Sequence, residues 1–302
     1  MSLTKRQEIV NLISHELKTP TVPIIGYCEM LLNPKFGSLN TDQTDAVDEI
    51  MNNIRQMEKF LDTIIFQEKE HKANDSLQIL PKGLKAPLVP ILGYCEMLLK
   101  KKLGDLSSDQ TEAVQEIHQN SIKLNDLIFD FWNAQQLDLG EIKYFYESVD
   151  VDEFIEQTMN NHSSLMEPKK IEFSKSVEPN MKINVDKSKL SEIFKNLIEN
   201  STYFVPEQGG KIQITAKSQD TFVEFSVVDN GEGIPSEKID SLFKKFHQID
   251  TSHTRTHSGG GLGLTICQGY IDGMNGKIWV ESDLGKGTTF LFTIPKSQGE
   301  KK

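Results

Sequence analysis

Cysteine, long apolar runs and blocks of basic charge are what this 302-residue sequence has least of. The three cysteines, Cys28, Cys95 and Cys267, form no CxxC pair and have no histidine at metal-ligand spacing. That argues against a disulfide framework and a zinc site and fits a reducing compartment. No apolar stretch reaches the roughly 18 residues of a membrane span. No basic start followed by an apolar stretch and a cleavage site marks a signal peptide, so the expected location is the cytoplasm. The formal net charge is −11 with no Lys/Arg-rich block, which argues against nucleic acid or an anionic membrane as partner. A helical pattern begins almost at the first residue, leaving room for a sensory region upstream.

What is present is a repeat. The run from Thr19 to Leu32 recurs from Ala86 to Leu99, an offset of 67 residues that carries Pro20 onto Pro87. The same offset carries Gly37 onto Gly104, Asp42-Gln43-Thr44 onto Asp109-Gln110-Thr111, and Ala46-Val47 onto Ala113-Val114, with no gap. A match sustained through two helical stretches and their connection means a duplicated unit. Each copy reads as a helical hairpin. In the first, Ile9, Ile13, Leu17, Ile24 and Leu31 keep an approximately heptad spacing, as do Val47, Ile50, Ile54, Met57, Leu61 and Ile64. Asn33-Pro34 and Gly37 break the chain between the arms, and Asn40-Thr41-Asp42 supplies an N-cap. The second copy has Gly104 as its break, Ser107-Ser108-Asp109 as its cap and Val114, Ile117, Leu124, Leu127, Ile128 and Phe131 as its stripe. Two hairpins provide four amphipathic helices, and a four-helix bundle that closes within one chain covers their apolar faces.

From about Val149 the texture becomes α/β. Strands are expected at 211–216, 222–228, 276–281 and 288–294, with helices at about 152–166, 187–204 and 262–274. These predict a mixed sheet covered by helices on one face, an α+β sandwich, with the junction near Leu137–Tyr146. The expected fold is multidomain: a first hairpin over 1–72, a second over 73–140 and the sandwich over 148–298.

Three patterns in the sandwich carry chemistry. Asp229-Asn-Gly-Glu-Gly-Ile234 follows a strand, placing a carboxylate where it can accept from an amino group such as adenine's, beside glycines that let backbone approach a ligand. Gly259-Gly-Gly-Leu-Gly-Leu264 opens a helix, where amide N–H groups and the dipole receive phosphate. It has no Walker lysine and no βαβ unit around it. Asn196 and Asn200 lie one helical turn apart, and an amide oxygen suits a hard cation such as Mg²⁺.

In this order Asn200, Asp229-x-Gly231-x-Gly233, Phe243-x-x-Phe246 and Gly259-x-Gly261-Leu262-Gly263-Leu264 resemble the N, G1, F and G2 boxes of the histidine-kinase ATPase domain. Gly285-Lys-Gly-Thr288-Thr-Phe290 resembles its closing strand, and the likeness spans roughly 149–296. It implies ATP and Mg²⁺ as cofactors, Asn200 as the metal ligand and Asp229 as the reader of the adenine amino group. The rest of the implied nucleotide site is Asn196, Tyr203, Gly231, Gly233, Ile234, Phe246, Gly259, Gly261, Leu262, Gly263, Leu264 and Thr288. The chain departs from the family at Tyr203, where a Lys or Arg usually meets phosphate, with Lys244, Lys245 or Arg255 as candidate substitutes. Asn196 stands where related gyrase-type ATPases carry a general-base Glu, so poor ATP hydrolysis is expected.

Upstream, His15-Glu-Leu-Lys-Thr-Pro20 resembles the phosphoacceptor box of that family's dimerisation and histidine-phosphotransfer domain. Imidazole, with an unperturbed pKa of about 6.5, leaves a neutral nucleophilic nitrogen at cellular pH. By the resemblance His15 is the phosphoacceptor, Glu16 accepts from its other ring nitrogen and Thr19 positions a water for dephosphorylation. Pro20 is expected to bend the helix. The implied partner is a response-regulator receiver domain, docking where Ile24, Tyr27 and Leu31 follow. In the second copy Lys82 replaces His15 and Gly83 replaces Glu16, while Leu84, Lys85 and Pro87 are retained or matched, and Pro81 is expected to shorten the helix. The second hairpin reads as a degenerate partner, favouring a single-chain pseudo-dimer over a homodimer. The expected function is an ATP-dependent histidine kinase that passes phosphate from His15 to a receiver aspartate. The alternative is a catalytically weak ATP-binding scaffold. A kinase of serine on an anti-sigma-like partner shares the ATPase boxes but has no use for the His15 box.

Overall fold

In a computed structural model the described residues are 3–69, 76–245 and 261–296, and they fall into two compact units that divide after Gln135. The first unit holds α1 (Leu3–Leu32), α2 (Thr41–Lys69), α3 (Ser76–Leu99) and most of α4 (Ser108–Leu139), with a 3₁₀ turn at Pro34–Phe36. The two hairpin turns share a glycine with left-handed φ, 109° at Gly37 and 105° at Gly104, which glycine adopts without steric cost, but reach it differently, through the 3₁₀ turn in the first copy and through Lys101 at φ 57° in the second. Each second arm opens on a reciprocal capping box. Asn40 accepts from the amide of Gln43 at 2.8 Å while the Gln43 side chain accepts from the amide of Asn40 at 3.0 Å. Ser107 and Gln110 do the same at 3.2 and 3.0 Å.

The copies then read each other's turns. Asn40 Nδ2 donates to the Leu103 carbonyl at 2.8 Å and Gln43 Nε2 to the Asp105 carbonyl at 3.0 Å. Reciprocally, Gln110 Nε2 packs where a Cβ on Gly37 would stand, 2.9 Å away. The seam is equally symmetric: Leu17 and Leu84, Ile24 and Ile91, Cys28 and Cys95, Leu31 and Leu98 are all at most 2% exposed within one chain. Each such side chain contributes about 1.5–3 kcal/mol by leaving water, so closure within the chain removes the exposed apolar face a lone hairpin would have. Burial pushes both Cys28 and Cys95 thiols up to about 12, in keeping with inert core residues. The side chain of Ile9 lies outside the described residues.

One sequence expectation fails here. α3 starts at Ser76 and runs through Pro81, Pro87 and Pro90, so Pro81 does not shorten it. Pro81, sixth in the helix, forfeits one i→i−4 bond, and the burial of Leu80 and Leu84 beside it offsets that loss. α1 likewise continues through Pro20 and Pro23.

The second unit comprises β1 (Glu147–Asp150), α5 (Val151–Met166), β2 (Glu172–Val177), β3 (Lys182–Val185), α6 (Lys187–Phe204), β4 (Lys211–Ser218) and β5 (Phe222–Asp229). It continues with α7 (Ser236–Ile239), α8 (Gly263–Gly273), β6 (Lys277–Asp283) and β7 (Gly287–Pro295). Its five-stranded sheet has the order β2-β4-β5-β7-β6, antiparallel except for β2 with β4, and β1 pairs with β3 in a separate ribbon. The four strands expected from alternation are there. β2, Glu-Phe-Ser-Lys-Ser-Val at the sheet edge, was not legible because it buries no residue fully and so carries no alternation. The core centres on Phe194 of α6, whose ring lies 5.4–5.7 Å from those of Phe154, Phe225 and Phe292.

Candidate functional site

The candidate nucleotide site lies where β5 ends against α6 and the start of α8. Asp186 is buried at the N-cap of α6 and accepts from the amides of Lys189 at 3.1 Å and Phe145 at 2.9 Å and from Ser188 Oγ at 2.6 Å. Burial alone would raise its carboxyl, but these bonds outweigh it and hold the group below the usual range. Its contribution to stability is therefore present above the unfolded carboxylate pKa and lost as pH falls through the lower folded value. Asp186→Ala should cost about 1–2 kcal/mol of stability in the α/β unit at pH 7, and the deficit should shrink in acid, as a melting series against pH would register.

Asn196 and Asn200 follow on α6, both half-buried. Asn196 Nδ2 donates to the Glu192 carbonyl at 3.1 Å, leaving Oδ1 facing Gly263. A Cβ on Gly263 would stand 2.5 Å from that oxygen, so only glycine lets the first turn of α8 approach the asparagine face. The helix has no side-chain N-cap, because Leu262 stands at that position.

Asp229 closes the site from the sheet. It is 6% exposed, and its Oδ1 accepts from the amides of Gly231 at 2.9 Å and Thr288 at 3.2 Å, while Oδ2 accepts from Ser201 Oγ at 3.0 Å. Burial pushes its carboxyl up, against the lowering effect of those three bonds. Gly231 lies under the Phe204 carbonyl, 2.8 Å from a hypothetical Cβ, and Gly233, at φ 72°, lies under the Asp283 carbonyl at 2.1 Å. The Ile234 amide donates to Ser282 Oγ at 2.9 Å, and that hydroxyl also pairs with Thr288 Oγ1 at 3.1 Å. The structure thus brings Asn196, Gly263, Asp229, Gly231, Gly233, Ile234 and Thr288 into one connected region, with Gly261, Leu262 and Leu264 at the opening of α8. Phe246, Arg255 and Gly259 lie outside the described residues.

Two findings concern the missing cation. Tyr203 is half-buried one turn beyond Asn200, and the ammonium of Lys169 sits 5.9 Å from its ring centroid while donating to the Thr202 carbonyl at 2.8 Å. Lys245 is engaged in an ion pair with Asp138, and Lys244 is exposed. Sequence reasoning missed Ser201, Ser282 and Lys169. Ser201 had one visible signal, a hydroxyl on the buried stripe of α6 that calls for a polar partner.

In the helical unit His15 is 80% exposed on α1, with Nδ1 3.7 Å from Glu16 Oε1, adjacent but longer than a hydrogen bond. Thr19 Oγ1 donates to the His15 carbonyl at 3.0 Å, and Lys18 pairs with Asp62 of α2 at 2.5 Å. The expected receiver-docking set needs correction. Ile24 is fully buried and Leu31 is 1% exposed, because they are the same heptad positions that form the seam. Among the described side chains of α1, the large apolar ones presented outward are Val22, 67% exposed, and Met30, 43% exposed, with Tyr27 half-buried.

An exposed histidine on a helical hairpin, joined in one chain to a sandwich with a buried aspartate and a glycine-opened helix, defines a class of phosphotransfer protein. The chain belongs to the two-component sensor histidine kinase family. The family model for the His Kinase A (phospho-acceptor) domain matches residues 5–71, and that for the histidine kinase-, DNA gyrase B- and HSP90-like ATPase matches 185–298. Among curated relatives, the circadian input-output histidine kinase CikA of Synechococcus elongatus is 28% identical over 265 residues, covering 86% of this chain and 35% of that protein. The autoinducer 2 sensor kinase/phosphatase LuxQ of Vibrio vulnificus is 29% identical over 245 residues, covering 78% and 28%. This chain therefore spans about a third or less of those two relatives. Full-length ShkA, solved in complex with AMPPNP, superposes with a TM-score of 0.63 at 27% identity over 74% of this chain and 46% of that one. Among the described residues no helix is long and apolar enough to cross a membrane.

Proposed function

We propose that this chain is an ATP-dependent protein histidine kinase whose α/β unit phosphorylates His15, and that the phosphoryl group then passes to an aspartate of a response-regulator receiver domain. The observation that carries the reading is His15 itself, outward on α1 beside Glu16 at 3.7 Å, within a chain that also holds the Asp229 site. The residues present fit the substrate. Asp229 accepts from the adenine amino group, Gly231 and Gly233 admit it closely, and Gly261, Leu262, Gly263 and Leu264 receive the phosphates at the α8 opening. Asn200 would hold Mg²⁺ with Asn196 adjacent, an ion that would supply neutralisation of the phosphate charge. An imidazole nitrogen of His15 forms the N–P bond as the O–P bond to ADP breaks. The ring proton of the other nitrogen is held toward Glu16, a contact that is long in the free enzyme and tightens when the reaction complex forms. Thr19 holds the attacking water in the reverse, phosphatase direction. The receiver docks on the face of α1 that carries Val22, Tyr27 and Met30.

The chain is organised as a first hairpin over 1–72, a second over 73–140 and an ATP-binding domain over 148–298. The second hairpin takes the place of the second subunit that a homodimer would supply, a reading supported by the mutual turn contacts and by both seams being buried within one chain. Incubation with γ-labelled ATP and Mg²⁺ tests the kinase. Acid-labile, base-stable protein label is expected, whereas ATP binding without label in any condition turns the reading into an ATP-binding scaffold.

Tyr203 sets the affinity in this proposal. A charge-assisted hydrogen bond to phosphate is worth about 1.5–3 kcal/mol, so Tyr203→Lys should tighten MgATP binding about tenfold. Adenosine affinity should stay unchanged. Calorimetry on the two ligands checks both halves.

A further inference from the structure

The erased box of the second hairpin has acquired contacts that the first box does not make. At Gly83, the counterpart of Glu16, the ring of Phe60 from α2 lies so close that a Cβ would stand 2.2 Å from Cζ and 2.4 Å from Cε1. At Lys82, the counterpart of His15, the ammonium lies 5.9 Å from the centroid of the Trp132 ring on α4. The buried seam positions match between the copies, but the boxes do not. The offset of 67 residues pairs Phe60 with Leu127 and Gly83 with Glu16, so a large ring faces no side chain on one side of the bundle. Its counterparts on the other side are a smaller leucine and a full glutamate.

We propose that the erased phosphoacceptor box is a pairing socket, in which Gly83 receives Phe60, with Lys82 set over Trp132, so that the first hairpin selects the second hairpin of its own chain over a second copy of itself. Two first hairpins meeting through the same seam would set Phe60 of one against Glu16 of the other, whose Cβ and carboxylate claim the volume that the ring holds. The socket thus answers why the second box lost its glutamate as well as its histidine: a base at position 83 and the Phe60 ring exclude each other. The inference rests on the single-chain reading given above.

Glycine in a helix interior ordinarily gains stability on replacement by alanine, which makes the sign of the change diagnostic. Gly93, on the same helix with nothing within 4 Å of a Cβ, serves as the control. In the full chain, Gly93→Ala should raise the melting midpoint of the helical unit. Gly83→Ala should lower it by about 3 °C, and Phe60→Leu should abolish the penalty of Gly83→Ala. Light scattering on the wild type should return the mass of one chain, 34.2 kDa. A one-chain mass with Gly83→Ala stabilising, or with a penalty that Phe60→Leu leaves unchanged, overturns the socket alone. A two-chain wild type overturns the single-chain reading and the socket with it.

Discussion

Replacing His15 with alanine should abolish phosphoprotein formation from γ-labelled ATP while leaving ATP affinity within about twofold of wild type. The two effects separate because His15 lies in the helical unit and the Asp229 network in the α/β unit. Of seven histidines, His15 alone sits in a His-Glu-x-Lys-Thr-Pro box, and it is 80% exposed, as the proposed nucleophile has to be. Glu16→Gln refines the test. The amide keeps the size and a hydrogen-bond acceptor but cannot take up a proton or offset the charge that grows on the ring. General-base assistance is worth about 10²–10⁴ in rate, so label should accumulate at least a hundredfold more slowly with nucleotide affinity unchanged. Equal losses of rate and affinity in the Gln variant would contradict the role, and full labelling of His15→Ala would move the phosphoacceptor elsewhere.

Asp229→Asn should separate binding from stability in the opposite sense. Burial raises the Asp229 carboxyl, so its ionised form is disfavoured by the fold. A carboxyl raised in this way adds stability only below its unfolded pKa, and that contribution disappears as pH climbs through the folded value. At pH 7 the ionised group is thus a cost that the neutral amide removes. Asn can keep the Oδ1 bonds to the Gly231 and Thr288 amides, and its Nδ2 can donate to Ser201 Oγ in place of the bond now running the other way. The apo variant should therefore melt at or above the wild-type midpoint. Nucleotide loses a charged acceptor for the adenine amino group, about 1.5–3 kcal/mol, which is about 10- to 100-fold in Kd. Calorimetry with ADP beside an apo melting curve decides it. A variant that melts well below wild type would mean that the carboxylate serves the fold and not the ligand.

The organisation of this protein was legible where the information is local or periodic. An offset of 67 residues sustained through two arms and a turn announced the duplicated hairpin, because heptad positions and the capping residues Asn40, Gln43, Ser107 and Gln110 act over one or two helical turns. The glycines that open α8 were legible for the same reason. The docking set was misread because Ile24 and Leu31 centre the stripe that packing buries, and Tyr27 lies at its half-buried margin. Pro81 was misread because tertiary burial of Leu80 and Leu84 holds a helix that the proline taken alone disfavours.

By itself, then, the sequence determined the helical region and the sandwich, and it marked the residues of both candidate sites, each encoded within a few turns of backbone. Only the tertiary structure decided that Asp229 is held by Ser201 and Thr288, 28 and 59 positions away, and that Gly263 clears space for Asn196. It likewise decided that Lys169 covers Tyr203 and that Phe60 fills the place of a lost glutamate. Those contacts depend on which surfaces meet when helices and strands pack, and close packing distinguishes a glycine from a glutamate by distances of an ångström or two that no spacing along the chain records.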